Sequence, residues 1–315
     1  MFSYSVLICT YNGVSYIQEQ IDSILNQKIK PEMIYLSDDS KDSLTINECI
    51  KAFDTNKYSD YEIVKGPGKG AAKNFLHGIK FNTSDFLFLS DQDDIWVENK
   101  IAKFQEAVVL TREPQLWYTD SQVIDEQGNV ISDSFFRYQG LSDKVFFDDS
   151  ILYKNAVQGA TCCINRSLCE LLTQSLSVIN IDDILMHDWW LALLAKYYGK
   201  VSFINESLIK YRQHDMNEVG ASSKRKNILK IVKNPSQYLE VFYRLQKQHL
   251  ALLKLFKYVP SNLQLEYTFN YKYCGFFKRS LIHFVAKYHK HPCDIRGELA
   301  KVNKGEHNVS IEHQN

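Results

Sequence analysis

Short apolar runs that end in polar or acidic residues recur through the first third of the chain, at 4–10, 33–36, 61–64 and 86–89. Each of the first three is followed by a polar turn and then by apolar residues at helical spacing, over 15–27, 44–53 and 71–81. The runs at 4–10 and 86–89 are continuous rather than alternating, the pattern of strands covered on both faces. Strand and helix alternating at this spacing predict a parallel sheet with right-handed crossovers. Past Trp96 the pattern loosens. A helix is expected over 97–110 and a strand over 116–123, with the turn Glu126-Gln127-Gly128-Asn129 leading into a hairpin strand at Val130-Ile131. A strand over 157–164, an apolar helix over 184–198 and short strands over 201–204 and 208–211 follow. Residues 132–155 show no period and read either as a substrate loop or as an ordinary long connection. The expected organisation is an α/β domain over 1–222, in halves 1–96 and 97–222, then a basic helical extension over 223–300 and a disordered polar tail over 301–315.

The run at 86–89 carries the strongest chemical signal, because it ends in Ser90-Asp91-Gln92-Asp93-Asp94-Ile95-Trp96. Asp91 and Asp93 are two apart, so an extended backbone points them the same way at a strand's carboxyl end. Ligands of open α/β sheets collect at that edge. Close carboxylates repel unless a cation or a proton lies between them. A hard divalent cation such as magnesium or manganese, which keeps waters and takes substrate phosphates, suits one or two carboxylates. The bland alternative is a solvated acidic turn that caps a helix starting near Val97, and Asp94 reads as such a cap.

Composition refines the class. Hydrophobic residues make up 45% and charged residues 23% of 315, as in globular domains. The net charge of zero hides a split: residues 224–292 hold fourteen Lys plus Arg against two acids, +12, which leaves −12 elsewhere. Such asymmetry argues for regions with different partners. Cations interleaved with Leu, Phe and Tyr suit the inner face of an anionic membrane, or else a helical lid packed on the acidic part. No nucleic-acid module accompanies the charge. The seven cysteines (Cys9, Cys49, Cys162, Cys163, Cys169, Cys274 and Cys293) include no C-x-x-C pair, and a reduced, cytosolic setting is expected. The chain opens directly on a strand without a basic leader, and no apolar run is long enough to span a membrane. The loop Gly66-Pro67-Gly68-Lys69-Gly70 fits neither a dinucleotide nor an NTPase phosphate motif and reads as flexible.

Taken in order, Val6-Leu7-Ile8-Cys9-Thr10-Tyr11-Asn12-Gly13, Ser37-Asp38-Asp39-Ser40, Lys73-Asn74, the Asp91 to Trp96 motif, His187-Asp188-Trp189-Trp190 and Tyr211-Arg212-Gln213-His214 resemble family-2 glycosyltransferases of the GT-A fold. The resemblance covers roughly residues 3 to 220. Ser-Asp-Gln-Asp-Asp-Ile-Trp (residues 90–96) and His-Asp-Trp-Trp are especially similar to rhamnosyltransferases of cell-wall and capsular polysaccharide synthesis. One departure is Lys73, where the family usually has Arg; a bidentate contact is lost and a point charge kept.

The resemblance implies an inverting enzyme that moves a sugar from a nucleotide-sugar donor to a glycan or lipid-linked acceptor. Its Rossmann-like, mostly parallel sheet would be flanked by helices, with nucleotide-sugar binding in 1–96 and the acceptor in 97–222. It implies Thr10, Tyr11, Asn12, Asp39, Lys73, Asp91, Asp93 and Arg212 as nucleotide-sugar contacts. Asp91, Asp93 and His214 would face a magnesium or manganese ion, and Asp188 would be the general base. On a helix Asp188 shares a face with Ile184, Leu191 and Ala195, and desolvation there would raise its pKa and improve it as a base. His187 either orients Asp188, contacts the acceptor or packs. Two other readings compete. A nucleotidyltransferase would need a Gly-rich basic loop after the first strand, where Cys9-Thr10-Tyr11-Asn12-Gly13 stands instead; a non-catalytic glycan-binding scaffold would not need the full set of carboxylates.

Overall fold

Successive residues of β1 (Tyr4–Thr10) divide between two cores, Leu7 and Cys9 facing one and Val6 and Ile8 the other. That division explains the unbroken apolar run: helices cover both sides of the strand. The computed structural model describes residues 2–147, 149–214 and 235–259. β2 (Met33–Asp38) and β4 (Phe86–Ser90) flank β1 in parallel, and β3 (Tyr61–Lys65) lies parallel outside β2. The crossovers are α1 (Ile17–Leu25), α2 (Leu44–Thr55) and α3 (Ala71–Gly78). α1 and α2 lie on one face with Ile17, Ile21, Cys49 and Phe53 buried, and α3 lies on the other with Phe75 and Leu76.

The second half extends the same sheet. β8 (Cys163–Asn165) runs antiparallel between β4 and β6 (Gln115–Ile124). β9 (Lys200–Arg212) pairs parallel with β6 and antiparallel with the short β5 (Ile95–Trp96), while β7 (Val130–Ser132) forms the expected hairpin on β6. The helices here are α4 (Lys100–Ala107), α5 (Phe135–Gln139), α6 (Arg166–Val178) and α7 (His187–Tyr198).

Several expectations are corrected. The strands expected at 201–204 and 208–211 are one strand, β9, interrupted only by shifts in register against β6. The strand expected over 157–164 contains a 3-10 turn, Gly159–Thr161, and is strand only from Cys163, where the short β8 begins. Asp94 caps no helix: α4 begins only at Lys100, and Asp94 is buried. The helix expected over 184–198 starts at His187, so Ile184 precedes it and Asp188 lies in its first turn.

The last described helix, α8 (Pro235–Tyr258), joins the main core through Leu245, Ala251, Leu252 and Leu255. Gln248 Oε1 accepts from Leu185 N at 2.9 Å, and Phe256 stacks on Tyr198. The apolar side of this stretch therefore faces protein, which is the lid alternative rather than a lipid-facing helix. The rest of the basic extension and the tail over 301–315 lie outside the described residues. Leu255→Ala is expected to lose about 2–5 kcal/mol of stability in urea unfolding, while Lys254→Ala, on the exposed side, should change it by no more than about 0.5 kcal/mol. Equal midpoints for the two variants would take α8 out of the core.

Candidate active site

Parallel pairing of β1 with β2 and β4 brings the segments after Thr10, Asp38 and Ser90 to one edge. Between β1 and β4 the backbone of Tyr11 is joined to the side chain of Gln92: Tyr11 N donates to Oε1 at 2.8 Å and Gln92 Nε2 donates to the Tyr11 carbonyl at 3.1 Å. A cleft of about 790 Å³ opens there. Thr10, Tyr11, Asp39, Asp91 and Asp93 line one wall, and Asn155, Gly159, His187 and Asp188 the other. A second cavity of about 570 Å³, beside Asp85, Arg112 and Arg166 near the amino end of β4, holds none of these residues.

The first wall is set by carboxylates acting as acceptors. Asp38 is buried and receives the hydroxyls of Thr10 at 2.6 Å and Ser40 at 2.7 Å, which pins the turn after β1. Asn12, in the left-handed region at φ 50°, donates its N–H to Ser40 Oγ and lies outside the cleft lining. Asp39 enters the cleft and also gathers the glycine loop: Oδ1 accepts from Gly68 N at 2.8 Å, and Oδ2 from Lys69 N at 3.2 Å and Gly70 N at 3.1 Å. The loop read as flexible is thus organised by this carboxylate. A Cβ on Gly66 would lie 2.1 Å from Asp39 Oδ1, so only glycine allows the approach.

Asp91 and Asp93 both reach the cleft, although not by strand alternation, because β4 ends at Ser90 and the chain bends at 92–93. His214 Nε2 lies 2.7 Å from Asp93 Oδ2, and this hydrogen bond raises the imidazole pKa. Arg212 lies behind the loop: Nε donates to the Asp93 carbonyl at 3.0 Å, and a terminal nitrogen pairs with Glu19 at 2.5 Å. Neither Arg212 nor His214 lines the cleft. Lys73 also points away from it, to the carboxylate of Asp182, whereas its neighbour Asn74 lines the cleft and exchanges hydrogen bonds with Ser37. Asp94 accepts from Arg212 N at 3.1 Å; burial, with Asp93 and Asp91 near, raises its carboxyl well above the usual range. Lys100, which sequence reasoning missed, is fully buried. Its Nζ donates to the Ala160 carbonyl at 3.2 Å and sits 3.8 Å from the centre of a Trp96 ring, and burial pulls its pKa down to about 7.

On the far wall, Asp188 has a desolvated carboxylate. Oδ1 accepts from Trp189 N at 2.6 Å and Asn155 Nδ2 at 3.1 Å, and Oδ2 from Gly159 N at 3.1 Å. These donors favour the charged form, but burial outweighs them and pushes the pKa up to about 7. His187 is buried beside it with its ring stacked on Phe75. Asn155 and Gly159 were not legible as site residues, because Asn155 falls in a stretch without period and Gly159 in one read as a buried strand, and both reach Asp188 only through the tertiary fold.

Among the described residues, no three of His, Cys, Asp and Glu are grouped to hold a metal ion unaided. Asp91 and Asp93 on one wall are hard oxygen donors, and their chemistry fits a divalent cation that draws its other ligands from a diphosphate and water.

Comparison with known proteins agrees with this architecture. The family model "Glycosyl transferase family 2" matches residues 5–113. A dTDP-rhamnosyl transferase RfbG of Shigella flexneri is 30% identical over 230 residues, covering 68% of this chain and 74% of its own. An uncharacterized glycosyltransferase of Rickettsia felis is 30% identical over 216 residues, 67% of this chain but only 30% of its own length. The S. aureus TarS 1-349 structure in complex with UDP superposes with a TM-score of 0.51 at 14% identity, covering 83% of this chain and 67% of that one, a likeness of fold. The protein is a nucleotide-sugar-dependent glycosyltransferase with the GT-A fold. It belongs to glycosyltransferase family 2.

A Cβ on Gly159 would lie 2.4 Å from His187 Nε2, so Gly159→Ala must displace either the His187 ring, which is stacked on Phe75, or the turn that donates to Asp188. The substitution is expected to cost about 1–3 kcal/mol of stability and to cut release of nucleoside diphosphate about a hundredfold. Wild-type turnover in the variant would show that the turn yields without disturbing the carboxylate.

Proposed function

We propose that the protein transfers a sugar with inversion from a nucleoside diphosphate donor to a glycan or lipid-linked acceptor in surface polysaccharide synthesis. The observation that carries this reading is the pairing of two kinds of acidic group across one cleft. Asp91 and Asp93 line the cleft together with the desolvated Asp188, which comes from the second half of the chain. Rhamnose from dTDP-rhamnose is the first donor to test, supported by the name of the Shigella flexneri relative, with a UDP-hexose next.

In the proposed reaction Asp188 accepts the proton of the acceptor hydroxyl as its oxygen attacks the anomeric carbon. The bond from that carbon to the diphosphate breaks, and the nucleoside diphosphate leaves with its electron pair. Asp91 and Asp93, with His214 behind Asp93, would hold a magnesium or manganese ion, which when bound would offset the charge growing on the leaving group. Thr10, Tyr11 and Asp39 hold the nucleoside side. Arg212 serves the donor indirectly by bracing the Asp93 loop, and the roles implied for Asn12 and Lys73 would require the loop after β1 and the Lys73–Asp182 pair to rearrange.

Two substitutions separate these roles. Asp93→Asn is expected to abolish metal-dependent donor binding, and chelation of the wild type to abolish transfer; full activity after EDTA treatment would remove the cation. Asp188→Asn should keep donor affinity and lose about a hundred- to ten-thousandfold in turnover. A base works in its ionised form, and the folded-state pKa of Asp188 is about 7. The wild-type kcat/KM should therefore be full at alkaline pH and fall about tenfold per unit below that pKa. A flat profile between pH 5 and 8, read as nucleoside diphosphate release, would exclude Asp188 as the base.

Peripheral attachment to the inner face of the membrane is proposed on charge alone; ten of the fourteen cations of 224–292 lie outside the described residues. Among the described residues no helix is long and apolar enough to cross a membrane. The intact protein should co-sediment with anionic vesicles at low salt and be released at high salt; retention in the supernatant at low salt contradicts the attachment.

A further inference from the structure

Backbone pairing between β1 and β4 stops at Ile8 with Ser90. Beyond that point a side chain takes over. Gln92 presents its amide to a single residue, accepting the Tyr11 N–H at Oε1 and donating from Nε2 to the Tyr11 carbonyl. Exchange of both bonds with one residue is the pattern of a hydrogen-bonded pair in an antiparallel ladder, made here by a side chain. A neutral amide suits the place: it both accepts and donates, whereas a carboxylate would only accept and an ammonium only donate. Position 13 makes room for it, since a Cβ on Gly13 would lie 2.2 Å from Gln92 Oε1.

The turn held in this way is strained. Asn12 sits in the left-handed region at φ 50°, where a side chain crowds the backbone. Such a conformation persists only where its surroundings over-determine it. Three successive N–H groups are each taken by a side chain from a different segment: Tyr11 by Gln92, Asn12 by Ser40 after β2, and Gly13 by Thr45 on α2. Of those three acceptors only Gln92 lines the cleft, and it stands between Asp91 and Asp93. Tyr11 lines the cleft as well and is 57% exposed. With so much of the residue in solvent, its backbone contacts rather than packing decide where the ring stands.

We propose that Gln92 is a positioning residue for the donor nucleotide: by clamping the Tyr11 backbone it holds the Tyr11 ring on the cleft wall as a surface for the nucleoside. The assignment rests on the reading above that Tyr11 holds the nucleoside side, and adds the group that sets Tyr11 in place. The acidic loop does not depend on the clamp in the same way, because Arg212 holds the Asp93 carbonyl from behind. Loss of the clamp therefore falls on the nucleoside end of the donor and spares the diphosphate end.

The test compares the wild type with Gln92→Met, of similar length and without the amide, and with Gly13→Ala, which keeps Gln92 and displaces its amide. The nucleotide used is whichever of UDP and dTDP the wild type binds more tightly. Inorganic pyrophosphate in the same magnesium buffer reports the diphosphate end alone. Calorimetry on Gln92→Met is expected to show nucleotide binding about tenfold weaker, with pyrophosphate affinity within about twofold of wild type. In the transfer assay the donor KM rises by a similar factor, while kcat at saturating donor stays within about threefold. Gly13→Ala reproduces the loss. Because Gln92 acts through Tyr11, the clamp has nothing left to hold once the ring is gone: in a Tyr11→Ala background Gln92→Met costs less than about twofold more. Nucleotide affinity within about twofold of wild type in both Gln92→Met and Gly13→Ala overturns the assignment. So does an equal loss of nucleotide and pyrophosphate affinity, which is what loosening of the whole sheet edge would give. So does a loss of about tenfold that persists in the Tyr11→Ala background. Failure of the wild type to bind either nucleotide would instead sink the reading of this edge as the nucleoside side.

Discussion

The buried guanidinium of Arg212 joins segments that are far apart in the chain. It reaches the Asp93 carbonyl, the Glu126 carbonyl at the hairpin turn and the Glu19 carboxylate on α1, while its backbone N–H meets Asp94. A planar fork of donors can bond in several directions at once, which a lysine ammonium on a flexible stem cannot reproduce. The guanidinium also lies over Tyr16, whose ring stacks on His214. The loop that presents Asp91 and Asp93 is therefore held from behind, and one wall of the cleft depends on the end of β9 for its shape. Residues of the first hundred positions form that wall, but the last strand of the sheet holds it in place.

The site concentrates ionisable groups that a folding protein would ordinarily avoid burying. Asp94, Lys100 and Asp188 are all desolvated, and the pKa of each is displaced toward the neutral form. Lys100 lies near Asp94 on one side and donates to the Ala160 carbonyl on the other. Ala160 follows Gly159, whose N–H is bonded to Asp188. Lys100 thus lies between the loop that carries Asp94 and the turn that carries Gly159. Such groups cost stability and persist where the chemistry needs them.

The charge split takes on a different meaning once α8 is seen in place. Its apolar positions enter the main core beside α6 and α7, so this part of the basic segment belongs to the folded body. Gln248 and His249 bond the backbone at Leu185 and Leu152, close to the segments that build the Asp188 wall. The helix therefore supports the segments beside Asp188.

Hydrophobic periodicity alone determined the first half of the fold. Continuous apolar runs separated by amphipathic segments admit few arrangements other than parallel strands with helices on both faces, and the acidic residues at the strand ends then had to share an edge. Asp91 and Asp93 were legible for that reason, and His187 with Asp188 through the family resemblance of the His-Asp-Trp-Trp motif. The tertiary structure decided what local pattern cannot encode. It merged two short apolar runs into β9, because pairing with β6 continues across two register shifts. It placed Asp188 at a helix start, where Asn155 and Gly159 could reach it from segments whose sequence carried no sign of the contact. It turned Arg212 and Lys73 toward protein carboxylates and away from the cleft, since a long charged side chain goes to whichever partner the fold brings near. Strand and helix propensities act over a few residues, whereas the partners of a buried charge come from anywhere in the chain, and only the folded whole selects them.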